Sequence, residues 1–250
     1  LRLGLARLVR NPFAWLALLF FALVFFLPAA EPLLRRLFPG VTHPLYLRAS
    51  FFELTLAHAF LTATSSLAAA VIGITTAIFV TRRVGHEFLG LAGAIAAIGQ
   101  TFPPVAVLAL AVPWLGYGAA PTLAALILYS ILPILETSIA GLRNVPESVR
   151  EAARGMGFSA AGLLLAVELP LALPFILAGL RTAVIINIGT ATIGSTVGAL
   201  SLGSPIVEGL AAANIAYVVE GALVVGLFAI LTDRIFEAAE RACRSRLGGL

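Results

Sequence analysis

Long apolar runs, separated by short stretches carrying arginine, proline or glycine, dominate the chain. The runs do not alternate apolar with polar positions as barrel strands would, so each reads as a helix. A helix needs about 20 mostly apolar residues to cross about 30 Å of hydrocarbon, and in lipid only helices and closed barrels satisfy the backbone. The expected spans are residues 13–30, 56–80, 88–112, 121–140, 171–200 and 215–231. The first follows Arg2, Arg7 and Arg10 and ends in small residues, as a signal peptide does. Its 18 residues exceed a usual signal core, which predicts an uncleaved first span. Residues 31–50 predict a short outer helix, and 113–120 a chargeless turn. Residues 141–170 form the longest connection. With no internal repeat and no low-complexity linker, residues 1–250 read as one domain of an all-α integral membrane protein.

Composition narrows the function classes. The 250 residues are 60% hydrophobic and 11% charged, with a mean hydropathy of +1.05, which excludes a soluble domain. All 16 basic residues are arginine. Without lysine there is no Walker A loop, so any ATP hydrolysis must occur on a partner. Cys243 is the single cysteine, which rules out an intrachain disulfide, and His43, His58 and His86 lie too far apart for ligand spacing. Neither a metal site nor a nucleophile with its base is legible, so no catalytic residue is assigned. A net charge of +4 in such a chain reports arginine anchoring rather than nucleic-acid binding. Twelve arginines (residues 2, 7, 10, 82, 83, 143, 150, 154, 234, 241, 244 and 246) map to the side of the amino terminus. Three (residues 35, 36 and 48) map opposite, and Arg181 lies within a span. The positive-inside rule therefore puts both termini in the cytoplasm.

Within the long connection stand Glu151-Ala152-Ala153, then Gly157, then Val167-Glu168-Leu169-Pro170. Pro146 fits the first turn of a helix. Glu147 and Glu151 fall early in it and Arg150 and Arg154 later, which suits the helix dipole. Ala152 and Ala153 offer so little side chain that another protein can approach closely. Gly155 and Gly157 supply the positive φ that ends a helix, and Ser159 caps a second one. That second helix, 160–169, is too short to span, and Pro170 is expected to stop it. The predicted shape is two short helices bent at the glycines, a lever on the fifth span.

The spacing E-A-A, three residues, G, nine residues, a branched aliphatic, one residue, L-P resembles the loop signature of the membrane subunits of binding-protein-dependent ABC importers at every fixed position. The resemblance implies the type I importer permease fold, with six transmembrane helices and a cytoplasmic coupling helix that docks in a cleft of the ATPase. Arg150, Glu151, Ala152, Ala153, Arg154 and Gly157 are then the coupling residues. The stretches 99–104, 142–144, 167–174, 178–182 and 184–193 also resemble the osmoprotectant permeases that import glycine betaine, choline or carnitine. This likeness is strong from Gly99 to Glu240 and looser before it. It implies two permease subunits, two ATPases carrying ATP and magnesium, and an extracytoplasmic binding protein, in the cytoplasmic membrane of a bacterium or archaeon. No cofactor is expected on this chain.

Pathway candidates come from polar residues inside spans. Asn187, Thr190 and Gly194 recur at helical spacing, with Thr192, Ser195 and Thr196 nearby. Such residues face a cavity or let helices pack closely, as Gly194 and Gly198 would. Gln100, Pro103 and Pro104 interrupt the third span, as part of a pathway or as a kink. Arg181 is either a gate or half of an ion pair with Glu136 or Glu168. Trp114 and Tyr117 suit an interfacial aromatic belt or a cation–π contact with cargo. An ion-coupled secondary transporter would rely on Glu53, Glu136 and Glu220, all near span ends, and a non-transporting scaffold would not need the spaced loop.

Overall fold

The apolar runs fold as helices whose ends are set by side-chain chemistry more than by hydropathy. The computed structural model describes residues 12–247. Arg2, Arg7, Arg10 and the side chain of Arg246, which entered the charge count, lie outside what it describes. Helix α1, Pro12–Phe26, runs through a 3-10 turn at Leu27–Ala30 into α2, Glu31–Leu37. Helix α3, Phe51–Val80, starts ahead of the expected residue 56. Ser50 and Glu53 form a reciprocal cap there: the Glu53 N–H donates to Ser50 Oγ (3.2 Å) and the Ser50 N–H to Glu53 Oε2 (3.1 Å). Glu53 thus caps the start of α3.

The expected third span is two helices, α4 (Leu89–Thr101) and α5 (Pro104–Leu115). Phe102 between them is extended (φ −74°, ψ 136°) because the following Pro103 disfavours the helical region. Helix α6 is Ala119–Arg143 and α7 is Glu147–Gly155. Then come α8 (Ala160–Leu163), a π turn at Leu164–Glu168, and α9 (Leu169–Ala191). The expected separate helix over 160–169 is therefore wrong in one respect: Pro170 does not stop it. The Leu169 N–H reaches back five residues to Leu164 O, and the widened turn takes up the ring and the missing N–H of Pro170. Residues 160–191 are one apolar segment long enough to span.

The fifth span ends at Ala191, short of the expected 200. Ile193–Val197 is a 3-10 turn, so Gly194, Ser195 and Thr196 are not on the α9 face that carries Asn187 and Thr190. Helix α10 is Ser204–Ala211, and α11 runs from Ile215 to Leu247, past the expected span end at 231 and through Arg234, Arg241 and Arg244. Five segments are long and apolar enough to cross a membrane, or six if the bent pair α4 and α5 counts as one. Thirty residues of α3 make a rod of about 45 Å, longer than the hydrocarbon, so its ends reach the interfaces. Their outward residues, Leu18, Phe60, Leu67 and Leu223 among them, are exposed and apolar, as lipid contact requires.

The described chain packs as two units, each with contributions from several helices. In the first (residues 12–64, 104–126 and 187–234), Phe20, Val24, Leu54, Leu202, Val224 and Leu231 form the core, with Phe20 stacked on Phe228 at 5.9 Å. The Tyr46 hydroxyl donates to Glu208 (2.9 Å) and its N–H to Glu220 (3.1 Å), which ties down the loop before α3. Burial, and then the bond to Glu208, push the Tyr46 hydroxyl up to about 12. Gly194 is a packing glycine, since a Cβ there would strike Thr122, whereas Gly198 (φ +84°) closes the 3-10 turn and a Cβ on it would meet open space.

The second unit (residues 65–103, 127–186 and 235–247) has a core of small and branched residues: Ala77, Ala96, Leu135, Leu142, Ala172 and Ile176. Here α9 approaches α6 so closely that a Cβ on Gly179 would lie 2.9 Å from Pro133 O. Gly189, further along the same helix and in the first unit, faces open space. Gly179→Val should lower the melting temperature of the purified protein through overpacking of about 1–3 kcal/mol, while Gly189→Ala should leave it unchanged. Equal melting of both variants would contradict this packing.

Candidate functional site

The connection from α6 to α9 is built around one buried carboxylate. Glu168, in the π turn, is almost entirely enclosed. Its Oε1 accepts from Arg150 Nε (2.9 Å) and its Oε2 meets Arg82 Nη1 (2.6 Å). Arg82 sits just past the end of α3. Arg150 belongs to α7, and its Nη2 also donates to Leu142 O (2.6 Å), a carbonyl in the last turn of α6 that has no helical partner. One arginine thus joins the amphipathic helix α7 to the end of α6 and the start of α9. A charge is seldom buried unless paired, and two guanidinium partners meet that condition.

Local sequence explains the shape of α7. Pro146 (φ −59°, ψ 137°) stands one position ahead of the helix, as its N-cap, rather than in the first turn. Glu147 accepts from Arg154 (2.8 Å) and Arg150 (3.1 Å), and these two hydrogen bonds hold its carboxyl below the usual carboxylate range. At the other end the Phe158 N–H bonds Ala153 O (3.2 Å) and the Gly157 N–H bonds Arg154 O (2.9 Å), a Schellman stop with Gly157 at φ +84°. Gly155 is not part of the left-handed stop; it is the last helical residue. Ser159 then caps α8, its Oγ accepting from the Gly162 N–H (3.1 Å).

The candidate coupling residues divide accordingly. Glu151, Ala152, Arg154 and Gly157 are exposed, while Ala153 is buried and Arg150 is turned inward. The two alanines, expected together to let another protein approach, therefore differ: Ala153 lies three residues after Arg150, on the face that packs against the span ends, and Ala152 lies off that face. Arg181 pairs with Glu240 of α11 (3.6 Å) and not with Glu136 or Glu168.

Of the pathway candidates, Gln100 and Pro103 belong to the second unit and Asn187, Thr190, Thr192 and Ser195 to the first. The Gln100 amide donates to Tyr129 O (2.7 Å). That carbonyl is the one Pro133, four residues on and lacking an N–H, cannot satisfy. Tyr129 in turn gives its hydroxyl to Phe102 O at the helix break. Gln100 therefore repairs a proline defect, and exposed Pro103 lies beside it. Asn187 is fully buried, Thr190 half-buried. The Thr192 hydroxyl returns to Gly189 O (2.6 Å), and Ser195 is absorbed in a turn with Ala199 O, Ser201 and Ser204. Trp114 and Tyr117 are strongly exposed. Among the described residues no group of three or more potential ligands could hold a metal. Sequence reading missed the partnership of Glu168 with Arg82 and Arg150; the available signal was an acid embedded in an apolar run.

The family model described as "Binding-protein-dependent transport system inner membrane component" matches residues 71–245, the α7 connection included. The chain belongs to this family. It is 39% identical over 178 residues to the osmoprotectant import permease protein OsmY of Salmonella typhimurium, covering 71% of this chain and 75% of that one. It is also 39% identical over 181 residues to the choline transport system permease protein OpuBB of Bacillus subtilis, covering 71% and 83%. The permease in inward-facing structures of the MetNI methionine ABC transporter superposes with a TM-score of 0.68 at 21% identity, over 75% of this chain and 93% of that one. The fold is therefore that of type I ABC importer permeases, and this chain is the multi-pass inner-membrane permease subunit of such an importer.

Glu168→Gln removes the charge that both arginines share. Because Arg82 and Arg150 remain partly exposed (34% and 20% of their side chains), the cost should be moderate, about 2 to 3 kcal/mol. The expected result is a lower melting temperature together with faster proteolysis within residues 144–159. Unchanged proteolysis would show that the pair does not hold α7.

Proposed function

We propose that this permease imports a small quaternary-ammonium osmoprotectant such as glycine betaine, choline or carnitine, using the ATP-driven motion of a partner ATPase that docks on the exposed face of α7. The names of its relatives support the substrate class. The single observation that carries the coupling reading is the two-sidedness of α7. Glu151 and Ala152 are exposed, while Arg150 and Ala153 fasten the opposite side to the span ends. Force applied to such a helix moves α6 and α9 with it. ATP and magnesium act on the ATPase. A second permease subunit, identical or paralogous, and an extracytoplasmic binding protein complete the complex. Residues 1–250 act as a single transmembrane domain.

The arginines support an orientation with both termini in the cytoplasm, since Arg82, Arg83, Arg143, Arg150, Arg154, Arg234, Arg241 and Arg244 fall on one side of the span map. The chain has only two tryptophans, so the selection of the ammonium group is assigned to the binding protein. Asn187, Thr190 and Gln100 serve the pathway by holding helices in register rather than by touching cargo.

Reconstituted with its ATPase and binding protein, the wild-type chain should take up labelled glycine betaine, choline or carnitine in preference to methionine when ATP is present. Glu151→Lys should insert normally yet cut uptake at least about tenfold. Gly157→Val, which forces a branched residue into the left-handed region at about 1–2 kcal/mol, should do the same. Wild-type uptake by both variants would refute docking at α7, and uptake that survives ATP depletion would refute ATP coupling.

A further inference from the structure

Beside α7 lies a cavity of about 550 Å³ whose lining includes five arginines, Arg82, Arg83, Arg143, Arg150 and Arg154, with Glu168 as its one acid. Glu168 is shared by Arg82 and Arg150, and Glu147 by Arg150 and Arg154. Arg83 and Arg143 have no ion-pair partner among the described residues. Five guanidinium groups against two carboxylates leave the pocket strongly positive, and guanidinium forks match phosphate oxygens in geometry as well as charge.

The position of the pocket narrows the anion. Thr81–Arg83 directly follow the end of α3, Leu142 and Arg143 close α6, and Ala160, Leu163 and Glu168 open the segment that continues into α9. All are span ends, so the pocket lies at the depth of the membrane–water boundary. Its wall also carries apolar Leu142, Leu163 and Phe158. Val84, next to Arg83, and Met156, next to Gly157, project apolar side chains that are 84% and 72% exposed. Charge in a pocket whose wall also carries Leu142, Leu163 and Phe158 suits a phospholipid better than an acidic peptide, which would need only the charge. Basic pockets between helix ends on the cytoplasmic side are where anionic headgroups collect.

We infer that this pocket binds the phosphate of an anionic phospholipid headgroup, with Arg83 and Arg143 as the residues that select it and Arg82 and Arg150 as the fixed floor. The inference rests on the cytoplasmic orientation given above. A lipid held there would touch the ends of α3 and α6 and the base of α7 together, so the composition of the inner leaflet would bear on the coupling helix.

The test is native mass spectrometry of the full chain in detergent, titrated with phosphatidylglycerol or with phosphatidylcholine of the same acyl chains. The wild-type chain should prefer phosphatidylglycerol. Arg83→Gln with Arg143→Gln should weaken that lipid about 30-fold, from about a factor of 5 for each arginine near the surface, with no change for phosphatidylcholine. These side chains carry no internal ion pair, so an unchanged melting temperature should confirm that the double variant is folded. Equal binding of the two lipids, or an unaltered preference in the variant, overturns the proposal. So does displacement of the lipid by millimolar inorganic phosphate, which would assign the pocket to a soluble anion. If the variant keeps its lipid preference but no longer co-purifies with the ATPase, the pocket serves an acidic partner segment instead. None of these outcomes alters ATP-driven uptake by the wild-type chain, so this proposal and the transport reading fail independently.

Discussion

The organisation around α7 depends on the enclosed carboxylate of Glu168 and its two arginines. An amphipathic helix of nine residues is too short to be stable alone, and it makes few apolar contacts of its own. What holds it is Arg150, which reaches Glu168 in the π turn and Leu142 O at the end of α6, while Arg82 closes the same carboxylate from the end of α3. Three helix ends and one short helix thereby share a single charge. Such an arrangement costs desolvation, and its use is geometric: it fixes where α7 stands while leaving Glu151 and Ala152 exposed.

Prolines set a second constraint, and the chain meets it in two ways. Pro133 strands the carbonyl of Tyr129, and Gln100 from another helix supplies the missing donor. Pro170 follows a stretch in which the helix itself widens to reach back five residues. In water a stranded carbonyl would simply be hydrated. In hydrocarbon it must find a partner within the protein, so polar residues inside spans are here largely repairs to the backbone. Asn187, Thr192 and Ser195 fit that pattern better than that of a wet lining, because each is buried or bonded to nearby main chain or serine hydroxyls.

The legible part of this protein was the part written in local pattern. Apolar runs of sufficient length marked the spans, Gly157 and Ser159 marked a helix stop and a cap, and the spaced Glu151-Ala152-Ala153, Gly157 and Leu169-Pro170 marked the family. Hydropathy could not locate helix ends, because the Ser50–Glu53 cap and the continuation of α11 through its arginines override it. Nor could a linear reading foresee that Pro170 would be carried within a continuous segment, or that Glu168 would choose Arg82 and Arg150 over Arg181. Those outcomes depend on which helix ends meet, and 86 residues of chain separate Arg82 from Glu168. That Ala152 is exposed and Ala153 buried depends on which side of α7 meets the span ends, which the family pattern, treating the two as a pair, does not carry.

The most direct measurement is cross-linking of the assembled transporter by a thiol-to-amine bifunctional reagent, from a single cysteine placed on α7 in a Cys243→Ser background. Ala152→Cys should cross-link to the ATPase subunit, and the yield should change when ATP is bound. Ala153→Cys, one residue away and enclosed against the protein, should give no product. Equal cross-linking from both positions, or from neither, would contradict a helix that is fastened on one side and docked on the other.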